Sequence, residues 1–558
     1  MKVRVPLLIK DKLATELIGV KRTEGFEITD EPFFLDGPVT RRVAVLDLDA
    51  ETGALHPGAL FRPPGDGSKI GGYKLADEKN FDARDFNQVS VFGTVLKTMK
   101  MFEEPDTLGR SLRWAFDAPQ LLVVPRAGEW ANAFYERDSQ SLQFFYFPDP
   151  GKPQNTIFTS LSQDIVAHET GHAILDGIAP DLFNATTPQS LAMHEAIADL
   201  TALLIAFRSD NLARAVLEQT GGSIERSRAF SGIAEQFGSA LSRGASNYLR
   251  ELNAFKTLEA GHPDAVAGDE PHELSVVLSG ALYCVMTKIF DRVKAEISEK
   301  DGIEPFSASG KSLFIAANRF KRIIFRGLDY LPPGDVSFAD YGLAMIAADQ
   351  ASHPDDEQER AWIREEFVRR HIVPDAKTLT VETNVEHPAV RELDLDTVLE
   401  SNWAAYEFAN RNRKLLRIPP EIPFEVRPRL DVTKLYYHEE GPRNVRELLF
   451  KVSWDEAEPN PTGSVFPPQR QFKAGTTLAI DWDTGLLRAK LTSKFGRKQR
   501  KARTALLGRL VDEDLLQFDR HAFGPDGNPL RSGIQVQTID GLMRVRGAAR
   551  MLHIAHAS

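Results

Sequence analysis

The chain has 558 residues, a formal net charge of -11 at pH 7 and one cysteine, Cys284. This length is too great for one hydrophobic core, so roughly two to four domains are expected. The acidic balance argues against nucleic acid as the default partner, and one cysteine excludes a disulfide framework within the chain.

The N-terminal segment, MKVRVPLLIKDKLATELIGV, contains basic residues but no sustained apolar run and no small-residue cleavage site. It therefore does not resemble a signal peptide. No stretch approaches the length that a membrane span requires. The sequence predicts a cytoplasmic protein without a membrane or nucleic-acid partner, and it leaves secretion by a route without a signal peptide open.

Residues 1–160 are expected to form a β-rich N-terminal lobe of mixed α/β structure. Apolar residues recur at helical spacing from Phe86 to Phe102 and predict one long helix. The segments LLVVP (121–125) and SLQFFYF (141–147) are rich in β-branched or aromatic residues and are interpreted as strands.

Residues 161–375 are predicted to be helical. The segment SLSQDIVAHETGHAILDG is interpreted as a helix in which Ser160 and Gln163 have capping-box spacing and Gly177 marks the end. A second helix is expected to begin at Thr187, because a proline follows it at the first helical position. Helical patterns continue to about residue 370, including SVVLSGALYCVMTKIFDRVKAEI and SFADYGLAMIAADQ.

The pattern changes again at about residue 376. Several segments, among them VRELLFKVSW and LLRAKLTS, are interpreted as short strands, and KARTALLGRLVDEDLLQF as a late helix. Residues 376–558 are therefore predicted to be a separate β-rich accessory module. The basic stretch 493–503 is interpreted as a solvated loop and helix start, because no aromatic residues alternate with its charges.

The segment D-I-V-A-H-E-T-G-H-A-I-L-D carries the most specific chemical pattern in the chain. His168 and His172 are four residues apart, so they lie on one face of a helix and can point at one metal ion. Glu169 lies about 100° round the helix, where a base for a water molecule must stand. By itself, this short pattern also fits two histidines on a helix surface.

A third ligand would separate these two interpretations, because a hydrolytic zinc site uses three protein ligands and one open position. Glu195 and Asp199 are again four residues apart, on the next predicted helix. Their neighbours are apolar, so this helix is expected to be buried, and buried carboxylates need partners. Glu195 is therefore the predicted third ligand, and Asp199 the acceptor that fixes the tautomer of a ligand histidine.

With these residues in place, H-E-x-x-H followed by E-x-x-x-D resembles the gluzincin metallopeptidases, and the thermolysin-like members in particular. Further segments resemble the same family in the same order over roughly residues 80–375. They are FDARDFNQVSVFGTVLKTMK, WANAFYERDSQSL, PHELSVVLSGALY and YLPPGDVSFADYGLAMIAADQ. The resemblance implies an α+β fold with a mixed α/β N-terminal lobe, a helical second lobe and a cleft between them.

The resemblance also implies a zinc-dependent endopeptidase with one Zn²⁺ per chain and a peptide or protein substrate. Glu169 is then the general base, and His272 stabilises the oxyanion. Asn132 and Ala133 are expected to bind the substrate backbone as an added strand, and Arg250 to contact its carbonyl side. Without the resemblance, His272 is interpreted as a lone loop histidine, and Asn132 and Ala133 as ordinary edge-strand structure. Arg250 is assigned its role by the resemblance alone.

The chain also departs from the family pattern. Asp164 matches an acidic position that the family uses for calcium, but the partner position is Ala206, which argues against a calcium ion. Phe183 stands where the family has a tyrosine that assists the oxyanion, and it has no hydroxyl group. His194 occupies a position from which it can support a zinc ligand.

These departures keep two alternatives open. One is a catalytically weak protein of the same fold that binds zinc and peptide. The other is a narrow-specificity metal hydrolase or effector peptidase, whose C-terminal module binds a protein partner and selects the target.

Overall fold

The structure is a computed structural model. It describes residues 1–225 (apart from 50, 66, 78 and 186), 230, 232–233, 250–438 (apart from 269), 441–460, 466–493, 496–512, 516–517, 534–539 and 542–546. Within this part of the chain, helices and strands alternate in blocks, which gives the α+β character that the sequence predicts.

The helices of the described residues are numbered in chain order. They are α1 Lys12–Ile18, α2 Arg84–Glu103, α3 Gln163–Ile178, α4 Pro188–Phe207, α5 Asp210–Thr220, α6 Pro271–Asp301, α7 Pro305–Tyr330, α8 Phe338–Gln350, α9 Gln358–Arg369, α10 Pro388–Arg391, α11 Leu395–Glu400, α12 Asn402–Arg411, α13 Arg413–Leu416 and α14 Arg497–Asp512.

The strands are numbered in the same way. They are β1 Val3–Leu8, β2 Thr23–Ile28, β3 Val43–Val45, β4 Leu60–Arg62, β5 Gly72–Lys74, β6 Leu121–Val124, β7 Ala133–Glu136, β8 Ser141–Phe144, β9 Tyr146–Asp149, β10 Lys152–Phe158, β11 Gly232–Ile233, β12 Arg250–Glu251, β13 Phe424–Val426, β14 Leu430–His438, β15 Gly441–Pro459, β16 Gln469–Asp481, β17 Leu487–Thr492, β18 Leu516–Gln517, β19 Ile534–Ile539 and β20 Leu542–Arg546.

The N-terminal sheet has the strand order β3-β6-β8-β7. Strands β3, β6 and β8 run parallel, while β7 is antiparallel to β8 and forms an edge of the sheet. The prediction of a strand at 121–125 is confirmed by β6, and the long helix at 86–102 by α2. The predicted single strand at 141–147 is wrong, because the chain forms β8 and β9 and breaks at Phe145. The Phe145 N–H donates to Thr159 Oγ1 (3.0 Å) outside the sheet.

The helix that carries the H-E-x-x-H motif, α3, begins differently from the prediction. Its N-cap is Ser162, while Ser160 lies in a preceding 3₁₀ turn, so the predicted capping box is wrong. The Gln163 side chain instead donates to the carbonyl of Leu8 at 2.7 Å. The helix also continues through Gly177, where a Cβ would lie 1.9 Å from the Arg113 carbonyl oxygen. This glycine therefore permits close approach of another segment and does not end the helix.

The prediction for the second motif helix is confirmed. Helix α4 has Thr187 as its N-cap and Pro188 at its first position, and nearly all of its residues are buried. It packs in the core among α3, α6 and α7.

Two helices contradict the expectation that no segment is long and apolar enough to span a membrane. By length and composition both α4 and α6 pass that test. The apolar window of α4 is 100% buried inside the protein and that of α6 is 72% buried. A helix that is buried among other helices can be apolar all round and then passes the same test. The result is therefore weak evidence for a membrane.

The C-terminal strands are longer than the short strands predicted. Strands β15 and β16 have 19 and 13 residues and pair antiparallel in an eight-stranded sheet of the described residues. Sequence analysis also missed the short helices α10–α13, which precede this sheet. The side chains of Asp394 and Ser401 cap two of them by accepting from the Thr397 and Ala404 N–H groups, a signal the sequence contained.

The two faces of β15 belong to different cores. Leu449 packs in the same hydrophobic cluster as the central helices, whereas Leu448 and Phe450 pack against α10–α13. This alternation follows from the two-residue period of a strand. The side chain of Lys451, on the face of Leu449, donates to the carbonyl of Leu331 at the end of α7 (3.0 Å).

A buried ion cluster joins this face to the central helices. Lys434 lies 2.7 Å from Glu447 and 3.2 Å from Asp329, and Arg488 lies 3.1 Å from Glu447. The four side chains are at most 4% exposed. Arg110 completes the cluster at 2.7 Å from Asp329. Burial raises the pKa of Asp329, but the charges of Arg110 and Lys434 together outweigh it and lower the pKa to about 2.

Candidate metal centre and active site

Helix α3 places His168 and His172 on one face, as the four-residue spacing predicts. Their ring centroids are 4.6 Å apart, and their Nε2 atoms are 3.0 Å apart. The two side chains are 4% and 0% exposed. They are therefore buried, which excludes the alternative of two histidines on a helix surface.

Glu195 reaches the histidines because α3 and α4 approach closely at Gly171. A Cβ at this glycine would lie 3.1 Å from the Cα of Ala198. Glu195 Oε2 lies 3.4 Å from His168 Nε2, and Glu195 Oε1 lies 3.5 Å from His172 Nε2. The three predicted ligands thus meet at one point, and they are the one His, Cys, Asp or Glu group of the described residues with metal-site geometry.

The distances within this group fit a tetrahedral ion. Ligand atoms about 2.1 Å from such an ion lie about 3.4 Å from one another, and the separations here are 3.0, 3.4 and 3.5 Å. Two imidazole nitrogens 3.0 Å apart need a proton or a cation between them. A buried His-His-Glu group can therefore hold a metal ion, and its ligand types suit zinc and its neighbours.

Asp199 lies behind the first histidine, one turn along α4 from Glu195. Its Oδ1 is 2.9 Å from His168 Nδ1, and its side chain is fully buried. The imidazole Nδ1–H donates to this carboxylate, so the lone pair of Nε2 points towards Glu195 and His172. The contact is the one that the sequence predicts, and the role of Asp199 in supporting a metal ligand stays a prediction.

Glu169 lies beside the edge strand of the N-terminal sheet. Its Oε2 accepts a hydrogen bond from the N–H of Tyr135 at 3.0 Å, and the side chain is 2% exposed. Strand β7 pairs with β8 on its other side, so this N–H points away from the sheet. By the alternation of an antiparallel strand, the carbonyl of Ala133 lies on the same outward edge.

Asn132 and Ala133 are the residues predicted to bind substrate backbone. Asn132 is buried, and its Oδ1 accepts from the N–H of Ala133 at 2.8 Å, so it turns back on its own strand. Ala133 is the first residue of β7. Their role in substrate binding stays a prediction.

His272 lies in the first turn of α6 and contacts the same carboxylate oxygen of Glu195 as His168 does. Its Nε2 is 3.4 Å from Glu195 Oε2, and its side chain is 19% exposed. Glu270, the N-cap of α6, holds the ring by its Oε1 at 2.8 Å from Nδ1. Burial raises the pKa of Glu270, but the hydrogen bond and charge of His272 outweigh it and lower the pKa overall. Sequence analysis did not single out Glu270, although it stands two residues before His272.

The loop between α3 and α4 packs against the same edge strand. Phe183 lies under the Arg137 guanidinium, 4.3 Å from the ring centroid, and packs edge-on against Tyr135. Arg137 forms an ion pair with the fully buried Asp176, which also accepts from the Tyr135 hydroxyl at 2.8 Å. Phe183 therefore contributes ring packing and no hydroxyl at this place. Sequence analysis missed the Arg137–Asp176 pair, because no local pattern links the two residues.

The C-terminal region contacts this loop directly. Arg427 donates to both carboxylate oxygens of Asp181, at 2.9 and 3.1 Å. Its Nε donates to Ser453 Oγ on β15 at 2.9 Å. The loop that supports the edge strand is thus attached to the C-terminal sheet, a connection between distant sequence segments that no local pattern predicts.

Three other sequence predictions have different outcomes. Asp164 pairs with the buried ammonium of Lys10 at 2.5 Å, so a lysine side chain supplies the positive charge beside it. His194 packs between Phe183 and His172, and burial lowers its pKa to about 3. The backbone of Arg250 lies in β12, but its side chain lies outside the described residues.

No family model matches this chain, and no curated protein matches it in a sequence comparison. The assignment to a family therefore stays a proposal that depends on the motifs and on the geometry of the site.

Proposed function

We propose that this protein is a thermolysin-like zinc endopeptidase, with the N-terminal sheet and the central helices as the two lobes of that fold. One observation carries the proposal. The buried atoms of His168, His172 and Glu195 lie 3.0–3.5 Å apart. Glu169 lies on the same helix as the two histidines, and His272 Nε2 lies 3.4 Å from Glu195. A metal site, a base and an oxyanion donor are the parts that peptide hydrolysis needs.

His168, His172 and Glu195 would hold the ion, and Asp199 would orient His168. Zinc supplies Lewis acidity, which acidifies water and polarises a carbonyl group. Glu169 is the base that takes a proton from the attacking water and delivers one to the leaving nitrogen.

The remaining steps concern positioning. The N–H of Tyr135 on the edge strand fixes one oxygen of Glu169. Glu270 orients His272, whose Nε2 is directed to the site and can donate to the oxygen that becomes negative. An extended substrate would add to the outward edge of β7, next to Glu169.

Phe183 favours a second candidate, a protein of this fold that binds zinc and peptide but turns over slowly. Its ring has no hydroxyl group to share the negative charge of the oxyanion, and one such donor contributes about 10²–10³-fold to the rate. A narrow-specificity hydrolase directed by the C-terminal region is the other form of this candidate.

The test compares the parent with Glu169→Gln, which removes the base and keeps the shape. Casein and quenched-peptide hydrolysis are measured on both proteins, together with their metal content by mass spectrometry. We expect about one zinc in each and a rate about 10²–10⁴-fold lower in the variant.

Glu218→Gln, an exposed substitution on α5, serves as the matched control and should cleave like the parent. If the parent and Glu169→Gln both hold zinc and neither cleaves, the endopeptidase proposal fails. The second candidate, a protein that binds zinc and peptide, then replaces it. If the folded parent holds no metal, both candidate functions fail.

A further inference from the structure

One tyrosine fastens the edge strand β7 to helix α3 at two points. Beside the candidate metal site, the N–H of Tyr135 donates to Glu169 Oε2 at 3.0 Å. Two turns further along α3, the hydroxyl of the same residue donates to Asp176 Oδ2 at 2.8 Å. The two carboxylates are roughly 10 Å apart along the helix axis. Tyr135 therefore spans two turns of α3, and both its backbone and its side chain are held there.

Arg137, which directly follows β7, completes the contact at Asp176. Its Nε donates to Asp176 Oδ2 at 2.8 Å, and its Nη2 donates to Asp176 Oδ1 and to the carbonyl of Pro180. A bidentate pair of this kind has a fixed geometry. The side chain of Asp176 is 0% exposed, so water does not compete for these bonds. The carboxylate is therefore a rigid anchor for the end of the edge strand.

The ring of Tyr135 is held as firmly as its hydroxyl group. It is fully buried, and it packs edge-on against Phe183 with centroids 5.9 Å apart. Phe183 in turn packs edge-on against His194 at 5.8 Å. In such a close-packed interior, the strand cannot shift along α3 without breaking several contacts together. The place of the Tyr135 N–H relative to Glu169 therefore depends on the anchor at Asp176.

We propose that Asp176 is a positioning residue, which acts through Tyr135 to set where Glu169 stands against the edge strand. The inference rests on the proposed function, in which a peptide adds to the outward edge of β7. The register between α3 and β7 then fixes the distance between the base and the bond to be cleaved. A misplacement of about 1 Å at such a site costs roughly 100-fold in rate.

A purely structural interpretation of Asp176 makes a different prediction. In that interpretation, the ion pair with Arg137 only stabilises the turn after β7. It accounts for the bonds from Arg137, but not for the third bond, which comes from the residue whose N–H binds the base. Tyr135→Phe separates the two interpretations, because it removes one hydroxyl group and keeps the ring, the N–H and the ion pair.

The experiment measures kcat and KM of the full-length, zinc-loaded protein on a quenched peptide, for the parent, Tyr135→Phe and Asp176→Asn. We expect kcat to fall about three- to ten-fold in Tyr135→Phe and about ten-fold or more in Asp176→Asn. KM should stay within about two-fold and the zinc content should not change, because the interaction that is lost orients the base and does not bind substrate. The double variant should lose little more than Asp176→Asn alone, since the two groups act as one unit.

A second measurement follows the anchor without any turnover. Hydrogen–deuterium exchange of the same proteins reports the opening of the edge strand. In both variants the amides of residues 133–137 should exchange at least about ten-fold faster than in the parent, because one of the two attachments to α3 is lost. Tyr135→Phe is the milder change, and it keeps the test available if Asp176→Asn does not fold.

Tyr341→Phe is the matched control. Tyr341 is also fully buried, and its hydroxyl donates to the carbonyl of Ile324 at 2.8 Å. The substitution therefore removes one buried hydroxyl bond from α8 and should lower the melting temperature about as much as Tyr135→Phe does. It should leave kcat and the exchange of residues 133–137 unchanged, which separates positioning from a general loss of stability.

Two results would overturn the inference. One is a kcat in Tyr135→Phe and Asp176→Asn that equals that of Tyr341→Phe. The other is exchange over residues 133–137 that is as slow in both variants as in the parent. A parent that cleaves no peptide would contradict the proposed function instead. The exchange measurement would then still support or overturn the anchoring of β7 by Asp176.

Discussion

The molecule contains two buried polar clusters that differ in how their charges are balanced. In the ion cluster of Asp329, Lys434, Glu447 and Arg488, each charged group lies 3.2 Å or less from an opposite charge. In the cluster of His168, His172 and Glu195, two imidazole nitrogens and a carboxylate converge at separations of 3.0–3.5 Å. The first cluster is balanced within the chain and joins two parts of the fold. The second has the geometry of a group that binds a cation.

The largest expected effect tests the second cluster. Under the proposed function, His172→Ala removes one ligand and with it the Lewis-acid contribution to catalysis, so peptide hydrolysis should fall more than about 1000-fold. The initial rate on a quenched peptide checks this. His371→Asn, a substitution of a half-exposed histidine, is the control. An active His172→Ala protein would show that the cluster is not the catalytic centre.

Breaking the ion cluster should lower the stability of the fold without removing any residue of the candidate active site. Lys434→Met leaves Asp329 and Glu447 buried without their shared cation, and should reduce the free energy of unfolding by about 3–5 kcal/mol. Urea denaturation measures the difference. Lys311→Met breaks an exposed pair with Asp301 and should change it by about 1 kcal/mol or less. Equal effects of the two substitutions would contradict the contrast drawn between the clusters.

A smaller effect is expected from Asp199, the residue behind His168 in the candidate metal site. Asp199→Asn keeps a hydrogen-bond acceptor for His168 but removes the negative charge, so zinc affinity should fall about 10- to 100-fold. Competition with a fluorescent chelator measures this affinity. Asp301→Asn, at an exposed position, should leave it unchanged. If Asp199→Asn binds zinc as tightly as the parent, the charge of Asp199 does not contribute to metal binding through His168.

The smallest effect is expected where the C-terminal region contacts the α3–α4 loop. Arg427→Ala releases Asp181 and the α3–α4 loop, and should lower kcat about two- to ten-fold with unchanged zinc content. A double-mutant cycle with Asp181→Ala should give a coupling of about 0.4–1.4 kcal/mol, which corresponds to the two- to ten-fold effect of the single substitution. If the two substitutions act additively, the contact does not position the active site.

The sequence predicted those parts of the site that depend on spacing along one helix. The pairs His168–His172 and Glu195–Asp199 follow from helical periodicity, and the Thr187–Pro188 start of α4 from capping rules. The register of His272 came from a resemblance and not from periodicity. These local rules do not depend on the rest of the fold.

Contacts between distant segments were not predictable in this way. The capping box at Ser160 and Gln163 failed because Gln163 bonds to Leu8, which lies 155 residues away. The Arg427–Asp181 contact spans 246 residues, and no periodic pattern links them. The short helices α10–α13 were missed although Asp394 and Ser401 are ordinary N-caps, since short helices carry little periodic signal.

The most direct test of the central claim is a zinc titration of the metal-stripped protein by isothermal calorimetry, alongside His168→Ala and His172→Ala. The claim predicts one tight zinc per parent chain, a higher melting temperature on binding, and no such site in either variant. A folded parent that binds no zinc, or variants that bind it as tightly as the parent, would contradict the claim that these histidines and Glu195 form a metal centre.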